Sequence, residues 1–212
     1  MKNKGKGGAI FIAGGLLLLA AALFLTGYNL YDEYRAGAAA DHVLETLQQQ
    51  MPETPSDGMR MQEDASTKQM KLPDYVLNPD MEMPIQEIEG NDYIGLLEIP
   101  SLGISLPVMS EWSYPKLKLA PCRYHGSAYT GSLTIAAHNY RTHFGPVRGA
   151  PAGTQVFFTD VKGRRFSYEV STVETIEATA IEEAVSEAWN LTLITCTPGG
   201  QARVAVRCIK ID

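Results

Sequence analysis

The sequence predicts a mainly β protein: a small closed or nearly closed β-barrel with few short helices, preceded by one N-terminal transmembrane helix. Two observations lead to this fold class. Residues 10–25 are almost wholly apolar, as a membrane-spanning helix requires. Past residue 91, short runs of β-branched and aromatic residues alternate with Gly, Pro and Ser, which is typical of many short strands joined by turns.

The apolar segment predicts a transmembrane anchor over residues 7–31. It contains no charged residue, and at ~1.5 Å rise per residue it can cross a hydrocarbon core of ~30 Å. Charged residues flank it on both sides: Lys2, Lys4, Lys6, Asp32 and Glu33. The positive-inside rule then makes residues 1–6 a cytoplasmic tip and places the rest of the chain outside the cell membrane. The alternative is a cleaved signal peptide, processed in the small-residue run 36–40.

Residues 32–90 are predicted to form a juxtamembrane helix and then a flexible stalk. Residues 29–51 are good helix formers and contain no proline. After them the composition shifts to Pro, Met, Glu, Asp and Gln without periodicity, and prolines recur that interrupt helices: Pro52, Pro55, Pro73, Pro79 and Pro84. The folded domain is therefore expected to occupy residues 91–212.

Within that domain the predicted strands are residues 93–99, 104–109, 132–137, 154–159, 165–173, 190–196 and 202–211. Turn signals separate several of them, such as Val161-Lys162-Gly163-Arg164. Residues 181–189 are acidic, and they fit either a short helix or a solvated loop.

Composition excludes several functions. A formal net charge of −6 provides no basic surface for phosphate backbones, so no nucleic-acid partner is expected. Three cysteines, Cys122, Cys196 and Cys208, are too few and too scattered for a disulfide scaffold or a C-x-x-C site. Cys122 and Cys208 are interpreted as core or surface thiols, and whether they pair stays open.

Cys196 is the candidate nucleophile, because it ends a predicted strand at a Thr-Pro-Gly-Gly loop. If the next strand returns as a hairpin, Arg203 lies beside it, where a guanidinium favours the thiolate and can donate to an oxyanion. His138 also follows a predicted strand directly. A nucleophile, a base and a cation are the parts of a cysteine acyl-transfer site.

These residues resemble the sortase family. Thr192-Leu193-Ile194-Thr195-Cys196 fits the signature T-L-x-T-C, Arg203 lies where that family carries its arginine, and Ala136-Ala137-His138 fits the strand end that bears the histidine. Tyr93-Ile94-Gly95-Leu96-Leu97-Glu98-Ile99-Pro100 looks like the first sortase strand. The resemblance spans roughly residues 91–212.

The resemblance implies a sortase-like, eight-stranded barrel that acts as a transpeptidase outside a Gram-positive membrane. The Cys196 thiolate would cleave an LPxTG-like sorting signal through a thioacyl enzyme, with His138 as acid and Arg203 stabilising charge. An amine from a cell-wall precursor or a pilin would accept the acyl group. Thr195, Thr197 and Asn139 are assigned to shaping the site or binding substrate.

The chain also departs from the family pattern. The H-R-G-L-P run of pilin-polymerising sortases is replaced by His138-Asn139-Tyr140, so the sortase class is not assigned. Some sortases bind calcium through carboxylates near Glu174–Glu187, but no fixed ligand spacing is visible here. We therefore predict no metal and no cofactor, and calcium activation is the alternative that is not favoured. A membrane-tethered cysteine peptidase and a non-catalytic binding barrel are the alternative functions.

Overall fold

A computed structural model describes residues 6–52 and 73–211. The chain divides between Arg35 and Ala36 into two compact units. Residues 53–72 of the predicted stalk, and the residues before Lys6, lie outside the described residues.

The N-terminal helix α1 spans Lys6–Gln50. It is long and apolar enough to cross a membrane, and its large apolar side chains between Ile10 and Tyr31 are exposed. Exposure of so many such side chains is costly in water and favourable in lipid. This helix fits a membrane anchor or a signal sequence.

The last turns of α1 belong to the second unit. Ala36, Ala40, Val43 and Leu47 are all buried, and their spacing of three and four residues places them on one face of the helix. Ala40 joins the main core of the domain, whereas Val43 and Leu47 join a second cluster with Tyr93 of the barrel. Residues 36–47, which the sequence assigned to a juxtamembrane helix, thus pack against the folded domain.

Nine strands occur in the described residues, and eight of them close into a barrel. Their bounds are β1 Gln86–Ile88, β2 Asn91–Ile99, β3 Ile104–Met109, β4 Cys122–Ser127, β5 Ser132–Ala136, β6 Gln155–Asp160, β7 Arg165–Glu177, β8 Leu191–Cys196 and β9 Ala202–Lys210. The order around the barrel is β2-β3-β4-β5-β8-β9-β7-β6, and β6 pairs with β2 to close it. β1 is a short addition that pairs with the start of β2. The predicted closed-barrel fold class is confirmed.

The other helices among the described residues are short: α2 Asp74–Leu77, α3 Tyr114–Leu117, α4 Ile181–Ala184 and two 3-10 turns, Pro100–Leu102 and Pro146–Gly149. Residues 181–189 were predicted to form either a short helix or a loop. The structure has a helix there, α4, but it is only one turn long. It ends at Ala184 because Val185 already leaves helical geometry.

All seven predicted strands are present, but β1 and β4 were not predicted. β4 reads Cys-Arg-Tyr-His-Gly-Ser, which has little apolar alternation. Its pairing with β5 shifts between Arg123 and His125, and Gly126 has a φ of 70°. A Cβ at Gly126 would collide with the Ser132 carbonyl oxygen, so the irregular strand depends on a glycine that sequence rules assign to a turn.

α2 is held on the barrel by aromatic stacking. The ring of Tyr75 stacks on that of Tyr129, with centroids 4.8 Å apart and planes 20° apart. The Arg164 guanidinium lies 5.4 Å and 5.5 Å from the two ring centroids. The Tyr129 hydroxyl donates to Asp160, which is fully buried at the end of β6.

The connection between β7 and β8 covers the outer side of the barrel. Leu193 and Val206 point into the main core, so the alternate residues Ile194 and Ala205 face outward. There they form a separate small cluster with Ile176 and Ala184. The connection therefore forms a wall over the outer face of β8 and β9.

Candidate active site

His138 and Cys196 come together because β5 and β8 are parallel neighbours. Ala136 pairs with Ile194, and the Ala137 N–H donates to the Ile194 carbonyl at 3.0 Å. His138 and Cys196 each follow that pair by two residues. They therefore lie at the same level and at the same end of the barrel, on neighbouring strands ~4.8 Å apart. Sequence alone placed both residues at strand ends; the parallel pairing makes those ends adjacent.

A cavity of about 520 Å³ is bordered by His138, Cys196 and Arg203, and also by Thr195. Apolar side chains form much of its lining: Leu117, Ile176, Ile181, Ala184 and Ile194. Three aromatic residues add to it: Trp112, Tyr114 and Tyr124. A concave apolar site with a few convergent polar groups is the usual form of a substrate site.

The aromatic part of the cavity was missed from sequence. Trp112 contacts both tyrosines edge-on, with ring centroids 5.1 Å from Tyr114 and 5.7 Å from Tyr124. Tyr124 lies on β4, the strand that was not predicted. Its position beside the cavity follows from the pairing of β4 with β5, for which the sequence carries no local signal.

The three cysteines differ in accessibility. Cys122 and Cys208 are fully buried, and burial raises the pKa of each thiol to about 12. All three are free, and Cys196 is only partly buried. Since a thiol must ionise and be reached by substrate to act as a nucleophile, Cys196 is the one suited to that role.

Arg203 is the cross-strand neighbour of Cys196, as the hairpin prediction required. The ladder continues one pair further, because the Thr197 N–H donates to the Ala202 carbonyl at 3.0 Å and the Ala202 N–H donates to Thr197 Oγ1 at 3.1 Å. The Arg203 guanidinium donates from Nη1 to the carbonyls of Gly200 and Ala202, at 3.1 Å and 3.2 Å. The loop thus holds this cation at the cavity edge.

Arg207 lies opposite Thr192, also as predicted, and has a structural environment. It is only 2% exposed. Its guanidinium donates to Glu174 Oε1 at 2.6 Å, to Thr192 Oγ1 at 3.3 Å and to the Glu183 carbonyl at 2.7 Å. Through these bonds Arg207 ties the β7–β8 connection to the sheet, and it does not border the cavity.

The remaining predicted site residues have distinct places. Thr195 is 2% exposed and borders the cavity. Asn139 Nδ2 donates to the Thr197 carbonyl at 3.4 Å, so these two residues link the chain after His138 to the chain after Cys196. Their roles toward substrate stay predictions.

Carboxylates near the site do not form a metal centre among the described residues. Across residues 6–52 and 73–211, no group of three or more His, Cys, Asp or Glu side chains is placed to hold an ion. Glu174 is engaged by Arg207. Independence from calcium stays a prediction.

His143 is fully buried behind the site. Burial lowers the pKa of its imidazole from 6.5 to about 4, with the charge of His138 acting in the same direction and the Ala36 carbonyl opposing it. The ring is therefore neutral near pH 7. Because the unfolded chain protonates this side chain first, the domain loses stability as the pH falls from about 6.5 towards 4.

We expect His143→Leu to remove this part of the acid sensitivity. The difference between 6.5 and about 4 corresponds to on the order of 3 kcal/mol between the two ends of that pH range. Thermal unfolding of both proteins from pH 4 to pH 7.5 measures it. Parallel Tm profiles for the variant and the wild type would show that His143 is not the group that titrates.

Comparison with known proteins agrees with the site. The family model of the sortase domain matches residues 97–210, more than half of the chain. The chain belongs to the sortase family. The match includes all of His138, Cys196 and Arg203, so the residues that border the cavity lie in the domain that defines the family.

Solved sortase structures share the fold. The sortase C1 of Streptococcus suis is 25% identical, with a TM-score of 0.50 and coverage of 57% of this chain and 73% of that one. A Clostridium perfringens sortase D5 transpeptidase is 21% identical, with a TM-score of 0.51 and coverage of 59% and 83%. The match to the sortase C1 of GBS pilus island 1 spans 64% of that protein's length. No curated protein sequence matches this sortase.

Proposed function

We propose that this sortase is a cysteine transpeptidase that cleaves an LPxTG-like sorting signal and transfers the acyl group to an amine. The observation that supports this most strongly is the shared cavity of His138, Cys196 and Arg203 at the ends of adjacent strands. Nucleophile, proton carrier and cation within one apolar cavity suit an acyl transfer that passes through a charged tetrahedral intermediate.

In the first step, the Cys196 thiolate attacks the carbonyl carbon of the scissile amide. The C–S bond forms while the carbonyl oxygen becomes an oxyanion, beside which Arg203 supplies positive charge. The C–N bond then breaks, and the departing nitrogen takes a proton from the His138 imidazolium. The products of this step are a thioester on Cys196, a free amine and a neutral imidazole.

In the second step, an incoming amine attacks the thioester and gives its proton to His138. The C–S bond breaks, a new amide forms, and the thiolate and imidazolium are restored. The acceptor is proposed to be an amine of a cell-wall precursor or of a pilin.

The N-terminal helix suits this role. As an anchor with its lysines in the cytoplasm, it would hold residues 36–212 outside the cell membrane, where sorting signals and their acceptors meet. No cofactor takes part in either step. The site acts through its own thiol, imidazole and guanidinium.

A peptide assay tests the proposal. The full-length protein in detergent is incubated with an LPxTG peptide, with and without an amine acceptor, and products are followed by mass spectrometry. We expect a thioester-linked enzyme and a new amide that forms only when the amine is present. Hydrolysis that added amine does not divert would identify a peptidase, and an unmodified peptide and protein would exclude acyl transfer.

Arg203→Lys is expected to lower kcat/KM by about tenfold or more, because an ammonium cannot reproduce the planar, two-pronged donation of a guanidinium. Arg207→Lys is the matched control. Position 207 lies four residues, roughly 13 Å, further along β9, so this variant should lower the Tm while kcat/KM stays close to wild type. A larger loss of kcat/KM at position 207 than at position 203 would show that Arg203 is not the catalytic arginine.

A further inference from the structure

Three aromatic rings in contact extend from the cavity into the protein. The rings of His138 and Tyr140 have centroids 4.7 Å apart and planes 28° apart. Tyr140 in turn contacts His143, with a centroid distance of 5.6 Å and an angle of 45°. His138 borders the cavity, whereas His143 is fully buried. The phenol ring of Tyr140 therefore joins the reacting imidazole to the interior.

The backbone of this segment is closely fixed. The Phe144 N–H donates to the His138 carbonyl at 3.1 Å, and the Gly145 N–H donates to the Tyr140 carbonyl at 2.8 Å. A Cβ at Gly145 would lie 2.7 Å from that Tyr140 oxygen and 2.8 Å from the Asn139 oxygen. Such a close approach is available only to glycine. The side chain of Tyr140 thus starts from a backbone with little freedom to move.

Helix α1 supports the same segment from another side. A Cβ at Gly37 would lie 2.9 Å from Thr142 Cγ2, so the helix backbone lies directly against the chain between Tyr140 and His143. Ala40, one turn later, shares the main core with Phe144. The segment that carries these rings is consequently packed against the barrel core and against the end of α1 that belongs to the same compact unit.

We infer that Tyr140 is a positioning residue for His138, an inference that rests on the proposed transpeptidase function. Its ring holds the imidazole in the orientation that delivers a proton to the departing amine. Stacked aromatic rings attract one another beyond simple burial, and the face of a phenol ring also attracts a cation such as imidazolium. The role is assigned to the ring, which contacts both His138 and His143, so a phenylalanine ring is expected to serve in its place.

The test compares three variants of the full-length protein: Tyr140→Leu, Tyr140→Phe and the control Tyr75→Leu. Tyr75 is half-buried like Tyr140 and makes a stack of nearly the same geometry, 4.8 Å and 20°, but it does not border the cavity. Each protein is assayed on a sorting-signal peptide and on the same acyl group carried by an aryl ester. The ester's leaving oxygen departs without needing a proton, so release of the aryl alcohol in the first turnover reports acylation without the proton that His138 donates.

For Tyr140→Leu we expect kcat on the peptide to fall at least about tenfold with KM little changed, and the first-turnover rate of aryl alcohol release from the ester to stay near wild type. Tyr140→Phe and Tyr75→Leu should keep both rates. An equal loss on peptide and ester, or a wild-type rate on the peptide, would overturn the positioning role. If the wild type forms no thioester from either substrate, the proposed function fails and the role of Tyr140 fails with it.

Discussion

Cys196→Ala is expected to abolish turnover of a sorting-signal peptide, with a loss of at least about 10⁴-fold in kcat. Without the sulfur no thioester forms, and the remaining groups have no nucleophile to assist. The Tm should change little, because Cys196 is only partly buried at the end of β8. Peptide cleavage and thermal unfolding of the purified variant measure the two effects.

Cys208→Ala is the matched control for that variant. Cys208 is fully buried in the main core, so its truncation should cost about 1 kcal/mol or more of stability through lost packing. Its kcat per folded molecule should remain at the wild-type value. Cys196 would not be the nucleophile if turnover persisted in Cys196→Ala. The same conclusion would follow if turnover disappeared in Cys208→Ala at a temperature where that variant is folded.

His138→Ala is expected to lower kcat on the peptide by about 10² to 10⁴-fold, because the departing amine then has no proton donor. The loss should be much smaller in the first-turnover acylation of Cys196 by an aryl ester of the same acyl group, because that leaving oxygen needs no proton. Both rates are measured with the full-length protein in detergent, alongside the mass of the acylated enzyme.

His125→Ala provides the comparison for His138→Ala. His125 is an exposed histidine on β4 and does not border the cavity, so its removal should leave both rates unchanged. A wild-type rate of ligation by His138→Ala would mean that another group supplies the proton. An equal loss on peptide and ester would show that His138 acts before the leaving group departs.

The hairpin of β8 and β9 shows how far sequence reasoning reaches. Alternation and the Pro-Gly-Gly turn placed Arg203 opposite Cys196 and Arg207 opposite Thr192, and the structure has these pairs. Such contacts are local, because a short loop and the two-residue period of a strand determine the register. The chemical environment of Arg207 was not foreseen, since Glu174 and the Glu183 carbonyl reach it from a different part of the chain.

The missed elements have a common cause. β4 contains a register shift and a glycine in the left-handed region, so it lacks the apolar alternation by which strands are recognised. Because β4 was not predicted, Tyr124 and the aromatic side of the cavity were not predicted either. Tyr140 was visible only as a departure from a motif, and its contact with His138 depends on the tight backbone turn that follows β5.

The sequence by itself determined the apolar N-terminal helix, the mainly β domain, the three residues proposed for the chemistry and the register of the hairpin that carries two of them. Each of these follows from residue types and spacings within one segment. Only the tertiary structure decided that β5 and β8 lie side by side, that α1 packs behind the histidine segment, and that Tyr140 stacks on His138. Those contacts join segments through barrel closure and packing, and periodicity within a strand reports which face is buried but not which partner covers it.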